Sequence, residues 1–128
     1  MEITVGLKGE VSTLVEREDT AVEVGSGSLL VYATPCMVAL MEGAACEALS
    51  DALPEEKTSV GIELAITHVS ASPVGLEVRA EAEVTAVEGN IITFKITAYD
   101  EAGMIGEGTH KRAVVTAQKL LDKAYAKL

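Results

Sequence analysis

The sequence has no tryptophan and one phenylalanine, and aromatic residues make up only 3% of it. A core must therefore be assembled from Val, Ile, Leu, Ala and Met, and with 48% of 128 residues apolar there is enough material for one. Residues 1–128 are expected to form one domain. No apolar run approaches the ~20 residues of a membrane-spanning helix, so no membrane association is expected. The opening MEITVGLKGE carries two acids and no apolar stretch, which does not read as a secretory signal. Cysteine is scarce as well. Cys36 and Cys46 fall on one expected helix, about 15 Å apart along its axis, too far for a disulfide. Two free thiols point to a reducing, cytoplasmic compartment.

Basic residues are in deficit: 10 Lys and Arg face 20 Asp and Glu, for a formal charge of −10. That balance argues against nucleic acid and anionic membrane surfaces as partners. It leaves room for a small anionic ligand met by a local patch, and His110-Lys111-Arg112 is the basic cluster available. The histidines and cysteines show no metal-ligand spacing, and there is no phosphate loop or dinucleotide fingerprint. Neither a metal nor a bound cofactor is expected.

What is present is a carboxylate in an unusual position. TPCMVALMEGAACEALSDAL, residues 34–53, reads as a helix whose apolar side carries Met37, Val38, Met41, Ala45, Ala48, Leu49 and Ala52. Glu42 falls inside that arc, whereas Glu47 and Asp51 fall on the polar side. A carboxylate among core-facing residues costs several kcal/mol in order of magnitude unless it is paired or wet. Such positions often belong to a cleft with chemistry to perform.

Around this helix, residues 9–15 and 20–24 read as short strands and Gly25-Ser26-Gly27-Ser28 as a turn or loop. Thr34 is the expected N-cap, with Pro35 at the first helical position. Four strands follow, at 58–70, 76–88, 91–99 and 104–116, and a last helix begins near Ala117. Strict alternation in the first of these puts Val60, Ile62, Leu64, Ile66 and His68 on one face. A helix this apolar needs cover on most sides, and a curved antiparallel sheet wrapped around it supplies that cover. The expected class is α+β, a hotdog fold with a C-terminal helix. Exposed edges in so small a sheet favour pairing of two copies, so a homodimer is expected.

His68 shares its strand face with the core and Glu42 points from the helix toward the sheet, so the two could meet in one cleft, within a subunit or across a dimer. An imidazole and a carboxylate in a partly dry pocket are a general acid/base pair. They also read as a satisfied core histidine and an unrelated glutamate. Thr34 brings a hydroxyl to the helix start, and equally serves as a cap. Gly61, mid-strand, marks either a bulge or a backbone N–H open to an oxyanion. His110 and Arg112 share strand parity and suit a phosphate or acidic ligand arm, or else a solvated strand end. Cys36 lies near a helix N-terminus, which can activate a thiol, but no base accompanies it.

ATP-x6-LMEGAACEAL, SVGIELAITHVSASPVG and IGEGTHKRAVV, with the spacing from Thr34 to Glu42 to His68, resemble the fluoroacetyl-CoA-thioesterase-like branch of the hotdog thioesterases. The resemblance runs from about Gly9 to Val115. It implies an acyl-CoA thioesterase with a triad of Thr34, Glu42 and His68. It further implies substrate contacts at Gly61 and Arg112, and a homodimer with sites at its interface; His110, in the one basic cluster, is a candidate contact for the coenzyme A polyanion. Metal and cofactor are absent from that scheme, coenzyme A entering as part of the substrate. A non-catalytic acyl-CoA binding or sensing module and, more distantly, an enoyl-thioester hydratase are the alternatives such a scaffold permits.

Overall fold

The structure, a computed structural model, describes residues 2–128. The chain runs β1 (Lys8–Leu14), a 3-10 turn at Arg17–Asp19, α1 (Ala21–Val24), α2 (Thr34–Leu49), β2 (Lys57–His68), β3 (Glu77–Glu88), β4 (Ile91–Asp100), β5 (Gly103–Thr116) and α3 (Ala117–Tyr125). The strands make one sheet in the order β1-β3-β4-β5-β2, with every neighbouring pair antiparallel. β3, β4 and β5 are a meander of tight turns. β1 joins one edge and β2 the other.

Helix α2 lies across β1, β3 and β4. Met37, Met41, Ala44, Ala45, Ala48 and Leu49 are buried on its inner side, facing Val78, Ala80, Val84, Phe94 and Ile96 from the sheet. Alternation along β3 and β4 is what presents those sheet residues inward. Small residues let the layers approach closely. A Cβ added at Gly9 on β1 would strike the Ala44 carbonyl and the Ala48 amide of α2. The expected layout, a long helix held against an antiparallel sheet with a further helix at the end, is therefore present.

Three local expectations change. Residues 21–24 form a helical turn, α1, rather than a strand, because Gly25 closes it in the left-handed conformation and its N–H reaches Ala21 O. Helix α2 ends at Leu49, short of residue 53. Its N-cap is Ala33, so Thr34 is the first helical residue and its hydroxyl makes no capping bond.

A further change, in β2, matters most for function. β2 does not alternate strictly, because its pairing with β5 shifts between Gly61 and Glu63, leaving Ile62 as the extra residue of a bulge. Gly61 pairs with Arg112 and Leu64 pairs with His110. Ser59 and Gly61 therefore face α2 before the bulge, and Leu64, Ile66 and His68 face it afterwards. Val60 lies on the opposite face from these, and Ile62 is 51% exposed, contrary to the simple alternation.

Candidate active site

α2 carries candidate groups at two levels. At its first turn, Thr34 Oγ1 is 2.7 Å from His68 Nδ1, at the far end of β2. The released hydroxyl of a residue that is not a cap makes this contact available. The other ring nitrogen, His68 Nε2, is buried and has no hydrogen-bond partner. Burial is the main influence on His68 and pushes its pKa below the ordinary value, against a hydrogen bond to the Ser70 backbone that raises it. The ring is therefore mostly neutral at pH 7, with one nitrogen left unpaired. A concavity of about 270 Å³ opens here, bounded by Ala21, Ser26, Val31, Thr34 and His68.

Two turns along α2, roughly 12 Å by the helix rise, lies Glu42. The bulged part of β2 and the middle of β5 surround it. Arg112 Nη1 donates to Glu42 Oε2 at 3.0 Å, with the arginine side chain 7% exposed and the glutamate 40% exposed. The rest of the guanidinium is also held: Nε donates to Ser59 Oγ at 2.8 Å and Nη2 to the Ser59 carbonyl at 3.0 Å. Nη1 additionally lies 3.1 Å from His110 Nε2. His110 is buried, stacked on Phe94, and its Nδ1–H donates to the Glu63 carbonyl at 2.9 Å.

That last bond decides the chemistry of the cluster. With Nδ1 carrying the proton, Nε2 is a lone pair that accepts from Arg112. Burial, and after it the Arg112 charge, lowers the pKa of His110, which a hydrogen bond to Glu63 and the Glu42 charge only partly counter. The 3.8 Å approach of His110 Nε2 to Glu42 Oε2 is accordingly not an ion pair, since that nitrogen has no proton to offer. Arg112 and Glu42 are the charged pair.

Gly61 makes room for it. A Cβ there would lie 2.5 Å from Glu42 Oε2, 3.2 Å from His110 Cε1 and 3.4 Å from Arg112 Nη1. Glu42, Gly61, Ile62, Leu64, His110 and Val38 line a concavity of about 260 Å³. A larger hollow, about 670 Å³, lies on the other face of the sheet around Ala65, Thr67, Glu107 and Thr109 and holds none of the candidate residues.

The structure thus assembles Thr34 with His68, and Glu42 with Gly61, His110 and Arg112, as two separate groups within one subunit. His110 and Arg112 are buried beneath Glu42 with most of their polar atoms already engaged. Ser59 joins the second group without having stood out in the sequence, because the bulge that turns it inward is not visible in an alternating pattern. Cys36 is half-buried and Cys46 exposed, both unpaired. Burial, then the Asp19 charge, raises the pKa of Cys36, the opposite of an activated thiol. Among the described residues no three His, Cys, Asp or Glu are placed to hold a metal ion, and no helix is long and apolar enough to cross a membrane.

Residues 15–118 match the family of the fluoroacetyl-CoA-specific thioesterase. A fluoroacetyl-CoA thioesterase from Streptantibioticus cattleyicolor is 39% identical over 97 residues, 76% of this chain and 70% of the relative. The solved fluoroacetyl-CoA thioesterase FlK superposes with a TM-score of 0.93 at 31% identity, over 100% of this chain and 99% of that one. A mutant of the same enzyme in complex with fluoroacetate and CoA superposes with a TM-score of 0.87 at 32% identity, over 92% and 99%.

Proposed function

The chain belongs to the fluoroacetyl-CoA-specific thioesterase family, and from that premise we propose that it is an acyl-CoA thioesterase, hydrolysing a short- or medium-chain acyl-CoA to the free acid and coenzyme A. The observation that carries this reading is Glu42 itself, a half-exposed carboxylate fixed by a buried guanidinium at the wall of a concavity. Arg112 offsets the cost of desolvating the carboxylate when substrate covers it. One oxygen, Oε2, takes the arginine bond, and Oε1 is left to act.

The reaction needs a base, a stabilised oxyanion and a proton for the leaving thiolate. Glu42 takes a proton from water as the water oxygen attacks the thioester carbonyl. The carbonyl π electrons move onto oxygen, where the Gly61 backbone N–H and the N-terminal end of α2 stabilise the charge. Collapse of this intermediate breaks the C–S bond, and the thiolate leaves as the thiol with a proton returned through the Glu42–His68 pair. Thr34 holds the imidazole in register. Direct attack by Glu42, through an anhydride that water then opens, uses the same groups. The small side chains of Ala21 and Ser26 at the wall of the Thr34–His68 hollow leave room for acyl groups larger than acetyl.

One subunit separates Glu42 from His68, so the working site requires two. β2 is an edge strand of the sheet, with Ile62 51% and Val69 61% exposed along and just beyond it. Antiparallel pairing of two such edges about a two-fold axis near Ala65 would bring the His68 end of each β2 toward the bulge at Gly61, and so toward Glu42, of the partner subunit. His68 Nε2 has no hydrogen-bond partner within the subunit. The homodimer then carries two equivalent sites.

Release of free thiol from a panel of acyl-CoAs, wild type against Glu42→Ala, tests this. Turnover of at least one member that collapses in the variant is expected. Intact acyl-CoA bound without turnover across the panel would overturn hydrolysis and leave a binding module.

A further inference from the structure

The Arg112 guanidinium has five N–H donors, and its natural grip on a carboxylate is bidentate, one N–H to each oxygen. Glu42 does not receive that grip here: only Nη1 donates to it, and one of the two Nη2 hydrogens is left without a partner among the described residues. The edge formed by Nε and Nη2 is occupied by the hydroxyl and carbonyl oxygens of Ser59. On Nη1, one hydrogen goes to Glu42 Oε2 and the other is directed at His110 Nε2. His110 can accept only because its Nδ1–H is committed to the Glu63 carbonyl, and the ring is locked in place against Phe94. The ring, 1% exposed, is thus held between the Glu63 carbonyl, Phe94 and Arg112 at the wall of the Glu42 concavity.

We propose that His110 is a positioning residue: with Ser59 it fixes the Arg112 guanidinium so that it meets Glu42 through a single oxygen, leaving the second oxygen free to act on water or the thioester. This rests on Glu42 being the reacting carboxylate. Bidentate pairing would engage both oxygens and turn the carboxylate from the concavity. The assembly is thus a device for holding a carboxylate charged but half-paired. Its geometry depends on the bulge at Ile62, which brings Ser59 and Gly61 to the same face as His110.

The test compares His110→Leu, which fills the space but cannot accept, with His110→Gln, whose amide oxygen restores an acceptor toward Nη1. His110→Leu is expected to lower kcat by ten- to a hundredfold with KM changed less than threefold. His110→Gln is expected to recover kcat to within about fivefold of wild type. Equal losses in both variants, or a loss confined to KM, would overturn the proposal. Crystal structures of the two variants read the same point without turnover. Arg112 should bridge both oxygens of Glu42 in the Leu variant and one in the Gln variant. An unmoved Arg112 in His110→Leu would also overturn it. Absence of thiol release from wild type would instead count against the hydrolase assignment, leaving the structural comparison to decide the role of His110.

Discussion

Thr34 Oγ1 and His68 Nδ1 stand 2.7 Å apart although 34 positions separate them in the chain. The first turn of α2 and the last residue of β2 are thereby tied together at the end of the sheet edge. A threonine that would ordinarily cap its helix is left uncommitted there, since Ala33 holds the cap position. The imidazole it meets is desolvated on its other side. Geometry of this kind makes the protonation state of one histidine visible in both activity and stability.

The pH dependence follows from burial. His68 and His110 both have pKa values held below the ordinary histidine value, chiefly by desolvation. The unfolded chain then binds protons that the native state refuses, so stability falls as the pH drops below about 6.5 toward the depressed native values and is fully present above that range. Thermal melts from pH 7.5 to 5 should show a falling midpoint, with a smaller fall in His110→Gln. The acid limb of kcat/KM should bend below pH 6.5, since neutral His68 is the competent form. A midpoint that rises on acidification over this window would contradict the assignment of neutral, buried rings.

Substitutions at Glu42 separate chemistry from structure. Glu42→Gln keeps an oxygen to accept from Arg112 but cannot act as base, so thioester hydrolysis should fall by about 10²–10⁴-fold while stability changes by less than about 1 kcal/mol. Glu42→Ala removes the acceptor and leaves the buried guanidinium with an unmatched charge, which should cost about 1–3 kcal/mol, moderated because the carboxylate is 40% exposed. Chemical denaturation beside thiol-release kinetics reads both quantities. Equal stability losses in the two variants would show that Arg112 does not depend on that oxygen.

Much of this arrangement was legible in the sequence, and what was not has local causes. The apolar arc of α2 exposes the anomaly at Glu42 because helical periodicity is insensitive to small errors in the ends. β3 and β4 were equally readable, since Val78, Ala80, Val84, Ile92, Phe94 and Ile96 alternate inward along the strands expected at 76–88 and 91–99. The misreading of 20–24 arose because Thr20-Ala21-Val22-Glu23-Val24 favours a strand by composition, while the left-handed glycine that ends the turn lies just outside it. Ser59 was hidden by the bulge, whose extra residue, Ile62, looks like one more member of an alternating row. The separation of Glu42 from His68 follows from their positions along α2, since His68 meets Thr34 at the first turn and Glu42 lies two turns further on, which a list of inward-facing residues does not reveal.

Three glycines make contrasting demands. Gly61→Ala would press its methyl against Glu42 Oε2 at 2.5 Å and should displace the carboxylate, lowering kcat severalfold or more at a stability cost of about 1–3 kcal/mol. Gly9→Ala would drive a methyl into the backbone of α2, where no side chain can yield, and should be the most destabilising of the set. Gly43, inside α2, has only Val11 Cγ2 at 3.7 Å from an added Cβ, ordinary contact distance. Gly43→Ala should therefore stabilise the fold by about 0.5–1 kcal/mol through helix propensity. Thermal melts of the three variants should give the order Gly43→Ala above wild type above Gly9→Ala. A lowered midpoint in Gly43→Ala would mean that α2 and β1 are packed more tightly around this position than the 3.7 Å contact suggests.

The location of the complete site can be decided by mixing two inactive proteins. If Glu42 of one subunit works with His68 of the other, a heterodimer of His68→Ala and Glu42→Ala subunits contains one site with both residues intact and one with neither. Unfolding the variants together and refolding them should yield heterodimers as about half of the dimers, and hence about a quarter of wild-type site activity. A site built within one subunit gives a different result, because each subunit of the heterodimer then carries one lesion and neither recovers. Sedimentation of the mixture fixes the amount of dimer present, so that loss of assembly is distinguished from loss of function. Ile62→Lys, at the exposed edge, should shift that same sedimentation profile toward monomer and abolish thiol release with it, since a charge on an edge strand opposes pairing. Activity that persists in a monomeric Ile62→Lys protein, or a mixture that stays inactive while forming dimers, would place catalysis within a single subunit.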